Sequence, residues 1–484
     1  MNPGSDRTNS DDAVEIARSL AREVLARHPV RGLAWGVVRD GTVLATGGVG
    51  RADVDAALPA GPAVASRICS ITKTMTAVAI MQLVEEGAVA IDDPVNRHLH
   101  GFRVDHPDPH APPVRLRDLL THTAGIGDIH RVKDLRRPFA GLAVRAGRPV
   151  PTLRELYGPW FRTEVHAGTK WNYANHGFAI LGQVVEDLRG ESFATVLRER
   201  LFDPLGMDRS DTSRSDRTGP DRFVGYKSAT RRARRRARPG PDIELTVAPT
   251  GGVWSTVDDL LRYATELLDP TVVLAPATVA TMTTPHWALD PRLVGRGLGL
   301  RLSTHAGHRV FGHDGAIPGW TSTLQCYPDD GLAFVAVANA NTPAIGAAVH
   351  RLGIDTASAL LDLPSVEADL AARTAEGPTS ALAEELAGPW QVGPGLLTSV
   401  RMLMNGGRRL QVERRRDGSL AIRTRLGTYK GGIPLVPVDA DDPLRFDALT
   451  AGLRSSMAFA RNADGVVDRL LVDDVDGPLE LFRA

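Results

Sequence analysis

The chain has 484 residues, and its 57 Lys+Arg balance 57 Asp+Glu to a formal net charge of zero. With 43% apolar and 24% charged residues it has an ordinary globular composition, long enough for two or three domains and a sizeable core. The charge balance gives no global field for nucleic acid or an anionic membrane. No stretch approaches the ~18 apolar residues of a membrane span, and two cysteines, Cys69 and Cys326, cannot make a disulfide framework.

Met1–Ser10 is polar, and Asp11–Arg27 reads as an amphipathic helix with Ile16, Leu20 and Val24 on one face. Neither the positive start nor the apolar core of a secretory signal is present, so a cytoplasmic location is expected. Leu33–Val38 and Thr42–Thr46 flank Arg39-Asp40-Gly41, a hairpin signal. Thr72–Val84 is apolar nearly all round, the mark of a buried helix, and Gly87 stands where a C-cap is expected. Helical patterns recur at Leu116–Thr121, Gly177–Leu188 and Val257–Leu268, the last introduced by Ser255-Thr256. Trp320–Tyr327, a Pro-Asp-Asp-Gly turn and Leu332–Ala338 make a second hairpin. Strands at both ends with helices between them predict an α/β (α+β) fold, an antiparallel sheet closed by its first and last segments and flanked by helices.

The composition shifts at Val366–Ala383, rich in Ala, Glu, Thr and Gly-Pro. Beyond it come short strands: Arg409–Arg414, Leu420–Arg425, Pro434–Val438, Leu444–Ala448, Ser456–Ala460, Val466–Val472 and Leu479–Phe482. About seven or eight strands in the last ~100 residues fit a small antiparallel barrel. The expected organisation is a larger domain over residues 1–365, a linker over 366–385 and a barrel over 386–484.

Three elements carry chemistry. Ser70-Ile71-Thr72-Lys73 opens the buried helix, placing serine and lysine on one face, one turn apart. Backbone N–H groups at a helix start favour a developing oxyanion, while burial disfavours a charged lysine and suits it to take the serine proton. Lys73 is one of only five lysines, and a charge in so apolar a helix needs a partner or a purpose. Tyr173-Ala174-Asn175 offers a hydroxyl able to shuttle a proton. His313-Asp314-Gly315 enters the Trp320 hairpin, with a glycine that permits close backbone approach and a histidine that sets local electrostatics.

Together these resemble the penicillin-binding protein and class C β-lactamase superfamily of serine acyl-enzymes over roughly residues 10–362. Flanking strings share the resemblance: Thr72 through Thr76, Gln82 through Gly87, Asp92 through Val95, Leu119 through Gly125 and Pro249 through Thr256. The resemblance implies Ser70 as nucleophile, Lys73 as its base and Tyr173 as the proton donor to the leaving group. It places Asn175 against the substrate amide and His313 where many relatives have lysine, with Gly315 after it. The N–H groups of Ser70 and Ala316 would form the oxyanion hole. Histidine at 313 points away from efficient β-lactam hydrolysis and toward esterase, D-aminopeptidase and peptide-cyclising branches. The C-terminal part resembles the lipocalin-like barrel of penicillin-binding-protein-type thioesterases. There Arg454 is a candidate for binding a substrate carboxylate, and the barrel is expected to shape substrate choice without supplying chemistry.

The implied substrate is a small peptide, an ester or a carrier-bound thioester, with a peptide-synthetase carrier domain as a possible partner. Release of nonribosomal peptides by a peptidyl-thioesterase or macrocyclase stands slightly ahead of an esterase or D-specific peptidase that only hydrolyses. A non-catalytic binding module on the same fold is the reading from another class. No cofactor or metal is expected. His98, His100, His106 and His110 match no zinc spacing, Gly295 through Gly299 lacks the context of a nucleotide loop, and Arg231 through Arg238 reads as a solvated basic insertion.

Overall fold

Asp40 and Gly41 lie in the left-handed region, at φ 48° and 73°, the geometry that a two-residue hairpin turn demands. They join Gly32–Arg39 to Thr42–Asp53. These strands belong to a seven-stranded sheet in the order Arg301–His305, His308–Ile317, Trp320–Tyr327, Leu332–Ala338, Gly32–Arg39, Thr42–Asp53, Leu58–Pro59. Early and late segments meet at its centre, where Leu33 pairs with Ala338 and Arg39 with Leu332, antiparallel. The structure, a computed structural model, describes residues 3–127, 129, 141–227, 238–373, 377–393, 409–425, 429–474 and 477–484. The basic run therefore lies outside the described residues, apart from Arg238.

Both faces of the sheet are covered. Along Gly32–Arg39, Leu33, Trp35 and Val37 enter one core and Ala34 and Val38 the other, as a period of two requires. Thr72–Glu85, Asn175–Arg189 and Val257–Leu268 pack into the larger core; Pro3–Arg27 and Pro343–Leu361 cover the opposite face. In Thr72–Glu85 every residue except Gln82, Val84 and Glu85 is buried. Val257–Leu268 has the bounds its pattern predicts, and Thr256 Oγ1 accepts the Asp259 N–H at 3.1 Å.

The first helix differs from expectation. Its buried stripe is Ala13, Ala17, Ala21 and Val24, while Ile16 and Leu20 sit half-buried at the margin. Small side chains let the helix lie close on Thr42–Asp53, where a Cβ at Gly50 would stand 2.8 Å from Leu25. Apolar bulk marked the edge of the contact, and alanine marked its centre.

Eight strands from Gly388–Val392 to Gly477–Arg483 form a closed antiparallel barrel, the first pairing with the last through Trp390 and Arg483. It has its own core, including Trp390, Phe446, Phe459 and Leu470. The segment read as a linker carries two short helices, Val366–Ala371 and Ser380–Leu386, capped by Ser365 and Thr379, with Leu370 and Leu386 buried. The barrel rests on the first region through Leu293, which packs with Ala458, Ala460 and Leu471. Arg292 and Arg351 donate to the Phe459 and Gly452 carbonyls at 2.9 and 3.1 Å. Among the described residues no helix is long and apolar enough to cross a membrane.

Candidate active site

Ser70 sits in a single 3-10 turn, Cys69–Ile71, that runs directly into Thr72–Glu85. Cys69 is held at φ 51°, a conformation that few residues other than glycine adopt. Two neighbours fix the turn. The Ile68 N–H donates to Val253 O at 3.1 Å, and Ser322 Oγ donates to Ile68 O at 2.7 Å. The strand bearing His313 passes so close that a Cβ at Gly315 would lie 2.5 Å from Ile68 O and 2.8 Å from Cys69 Cβ. Glycine at 315 thus admits the chain's own Ser70 turn, a different reason from the substrate approach expected from sequence.

Lys73 is fully buried. Its Nζ donates to Ser70 Oγ at 3.0 Å, Asn175 Oδ1 at 2.9 Å and Thr250 O at 2.6 Å. It also lies 4.8 Å from the centre of the Tyr173 ring. Ser70, Lys73, Tyr173 and Asn175 therefore converge. Asn175 opens the helix Asn175–Arg189 and turns its side-chain oxygen to Lys73. Thr250, whose carbonyl makes the shortest of the three bonds, was not read from sequence; it belongs to the Pro249–Thr256 string.

His122 is a second residue that sequence reasoning missed. Its ring stacks on Tyr173, with centroids 4.4 Å apart and planes at 28°. Its Nδ1 accepts the Ala174 N–H at 3.1 Å and its carbonyl accepts the Asn172 N–H at 2.8 Å. The accepting Nδ1 carries no proton, so the ring proton is on Nε2. His122 grips the Tyr-Ala-Asn segment from both sides. The Leu119–Gly125 string was the available signal, but nothing local in it points to Tyr173.

His313 lies across from Tyr173, ring centres 6.0 Å apart, with its Nδ1 2.6 Å from the Asp314 carbonyl, which accepts its proton. Burial, and then the charge on Lys73, lower its pKa to about 4, so the imidazole is neutral at pH 7. Asp314 lies behind it and accepts from His350 Nδ1 at 2.8 Å, Arg301 Nη1 at 2.8 Å and Thr323 Oγ1 at 2.7 Å. Burial works to raise that carboxyl, yet these partners outweigh it and hold the group well below the usual carboxylate range. Ala316, next after Gly315, pairs with Thr321 on the same edge of the site.

Arg454 is not brought to Ser70. Its Nη2 donates to Thr304 O at 2.5 Å and to Thr304 Oγ1, and its guanidinium faces Asp369 and Asp447 at 3.7 and 3.9 Å. Thr304 pairs with Arg309, whereas the Ser70 turn meets that strand at Gly315, ~20 Å further along at ~3.3 Å per residue. The carboxylates Arg454 meets are the chain's own, and it fastens the barrel to the sheet edge.

The metal-ligating types in the structure come together once among the described residues. One ligand atom each from His106, Asp108 and His166 lie within 4.8 Å of one another. His106 Nδ1 already accepts the Asp108 N–H at 3.0 Å, which leaves the ring proton on Nε2. A metal-bound imidazole needs the opposite, a free lone pair and an N–H donated outward. His166 Nε2 faces Asp108 at 3.4 Å, so the group is satisfied as a polar cluster. The glycines at 295–299 serve packing: a Cβ at Gly299 would lie 2.3 Å from Ala77 on the Ser70 helix, and one at Gly297 would lie 2.2 Å from Met282 O.

A two-faced antiparallel sheet that buries a Ser-x-x-Lys helix against a Tyr-x-Asn helix start is the architecture of the serine hydrolases related to β-lactamases and penicillin-binding proteins. The chain belongs to the Beta-lactamase family, which its residues 17–358 match. It is 28% identical over 318 residues to a D-aminopeptidase from Gluconobacter oxydans (strain 621H), an overlap of 65% of this chain and 57% of that one. It is 30% identical over 290 residues to penicillin-binding protein 4 from Amycolatopsis lactamdurans, covering 56% of this chain and 71% of the relative. The crystal structure of SurE shares the fold over the full length of both chains, with a TM-score of 0.62 at 23% identity.

Proposed function

We propose that the chain is a serine acyl-enzyme acting on amide, ester or thioester carbonyls next to a D-configured residue. The observation that carries this reading is the 3.0 Å contact between Lys73 Nζ and Ser70 Oγ at the start of a buried helix. In its neutral form Lys73 accepts the Ser70 proton as Oγ attacks the carbonyl. The Ser70 and Ala316 N–H groups receive the oxyanion charge. Tyr173 gives a proton to the leaving group and later takes one from the incoming nucleophile, since the acid of one half-reaction is the base of the next. Neutral His313 places no like charge against the ammonium that Lys73 becomes on taking the Ser70 proton. The D-aminopeptidase relatives support the D-configured acyl residue.

Paired D- and L-aminoacyl p-nitroanilides test it. The expected result is D-selective release that vanishes in Ser70→Ala. Equal rates on both series, or release that survives Ser70→Ala, overturns it.

A second reading, transfer of a peptidyl thioester to its own amine, is favoured by the barrel packed against the Tyr173 loop. A site that cyclises must admit an amine and keep water out. A peptidyl thioester with a free N-terminal amine and a D-residue at the acyl end should then give a product one water lighter than the linear acid. Linear acid alone, across several lengths and both stereochemistries, leaves a hydrolase.

A further inference from the structure

We infer that Asp473 and Gly477 of the barrel, through Arg296 and Trp171, act as a latch that positions Tyr173. The barrel is then part of the proton-transfer machinery and not only a cover for the substrate. This rests on the acyl-enzyme reading above.

Arg296 is buried, and its two terminal nitrogens reach Asp473 at 2.5 and 3.2 Å across 177 residues of sequence. That bidentate pair, the geometry that fixes orientation as well as distance, joins the first region to the barrel. The guanidinium carbon lies 5.7 Å from the centre of the Trp171 ring. Gly477, at the start of the last barrel strand, presses on the same ring. A Cβ there would stand 2.0 Å from Trp171 Cη2 and 2.2 Å from Cζ3. The buried Trp171 indole N–H has no hydrogen-bond partner among the described residues, so packing holds this ring.

From Trp171 the path to the chemistry is short. Its ring centre is 6.4 Å from that of Tyr173 and 5.9 Å from that of His122, which itself stacks on Tyr173. The centre of the Tyr173 ring is 4.8 Å from Lys73 Nζ. The same arginine is anchored from the other side, because it sits in the glycine segment whose Gly299 abuts Ala77 on the Ser70 helix. The Arg296 guanidinium thus ties the barrel to the tyrosine loop, and its own glycine segment rests on the helix that carries Lys73. Tyr173 Oη must reach two successive proton positions, and a shift of ~1 Å in such a group costs up to ~100-fold in rate.

A cover and a latch predict different kinetics. Loosening a cover changes KM for long substrates and leaves a small ester untouched. Loosening a latch lowers kcat even for an ester too small to touch the barrel. The full-length chain is made as Asp473→Asn, Asp473→Glu and Gly477→Ala, and turnover of a small p-nitrophenyl ester is measured against pH. Asp473→Asn and Gly477→Ala are expected to lower kcat about ten- to a hundredfold with KM within about threefold. Asp473→Glu, which keeps the ion pair, should recover most of the Asp473→Asn loss. Gly477→Ala keeps both members of the ion pair and sets a Cβ against Trp171, at a φ of 115° that also strains the start of the last strand, so in folded form it reads the latch independently of Asp473→Asn. Wild-type kcat on the small ester in either folded variant, with raised KM confined to long peptides, overturns the latch. A fluorophosphonate probe separates the two claims: wild-type protein left unlabelled at Ser70 defeats the acyl-enzyme reading, whereas labelled wild type with unimpaired variants defeats the latch alone.

Discussion

The sheet region and the barrel are both antiparallel and both have their own apolar core, yet they bury charge in different places. In the sheet region Lys73 and His350 are buried, Lys73 paired with fixed polar groups at the Ser70 turn and His350 with the half-buried Asp314 behind His313. In the barrel, Asp447 and Asp473 turn outward to meet Arg373 at 2.8 Å and Arg296 at 2.5 Å. Buried charge is costly unless its partners are exact in geometry. In one region that cost is met where bonds are to be made and broken; in the other it is met where the barrel joins its neighbour. Asp473 docks the barrel through Arg296, and so a strand-rich unit without a Ser-x-x-Lys element still bears on the Tyr173 loop.

The sharpest separation of the two regions comes from Ser70→Ala and Lys73→Ala. Each should lower kcat on a D-aminoacyl ester by ~1,000-fold or more, because residues that act as one unit fail together. Both variants should keep a cooperative melt near the wild-type Tm in calorimetry, since Ser70→Ala removes one hydroxyl and Lys73→Ala removes a buried amine whose desolvation offsets its three hydrogen bonds. Tyr173→Phe, which keeps the stacked ring, should cost ~100-fold or more in kcat by steady-state assay. His122→Ala removes the stacking partner of Tyr173 and the acceptor of the Ala174 N–H. It should cost about tenfold in kcat, with little change in KM.

How much of this was legible in sequence follows the distance between cause and signal. The Ser70–Lys73 pair, the Thr256 cap with its helix, and both hairpins are written in adjacent residues and short periods, and the folded chain has them. The His122 contact joins residues 52 apart and the Arg296–Asp473 pair joins residues 177 apart, so no local pattern carries either. Arginine makes the second kind harder to see. Five lysines leave 52 of the 57 cationic residues as arginine, and a guanidinium's sequence neighbours do not name its carboxylate. Arg454 was singled out through the resemblance of the barrel, and its guanidinium holds Thr304. Gly315 shows the reverse case: its identity was informative, but what presses on it is the chain's own Cys69 and Ile68.

The smallest expected effect belongs to pH. His313 falls from 6.5 to about 4 on folding, so between those values the unfolded chain binds a proton that the folded chain does not. Stability then rises with pH across that window, by at most ~1.4 kcal/mol per pH unit, and this contribution is lost as pH falls from 6.5 toward 4. Asp314, held below its usual value, adds the same sign at lower pH. His313→Gln should flatten the dependence of Tm on pH between 4 and 6.5 relative to wild type. An unchanged slope in the variant would mean that His313 is as solvated in the folded chain as in the unfolded one.

The central claim is that Ser70, activated by Lys73, carries the acyl group. Intact-mass spectrometry of the full chain, quenched in acid during turnover of a D-aminoacyl ester, tests it most directly. The account predicts one acyl group per chain, located on the Ser70 peptide, absent in Ser70→Ala and formed ~1,000-fold more slowly in Lys73→Ala. An adduct on any other residue, or acylation of Lys73→Ala within about twofold of the wild-type rate, would contradict it.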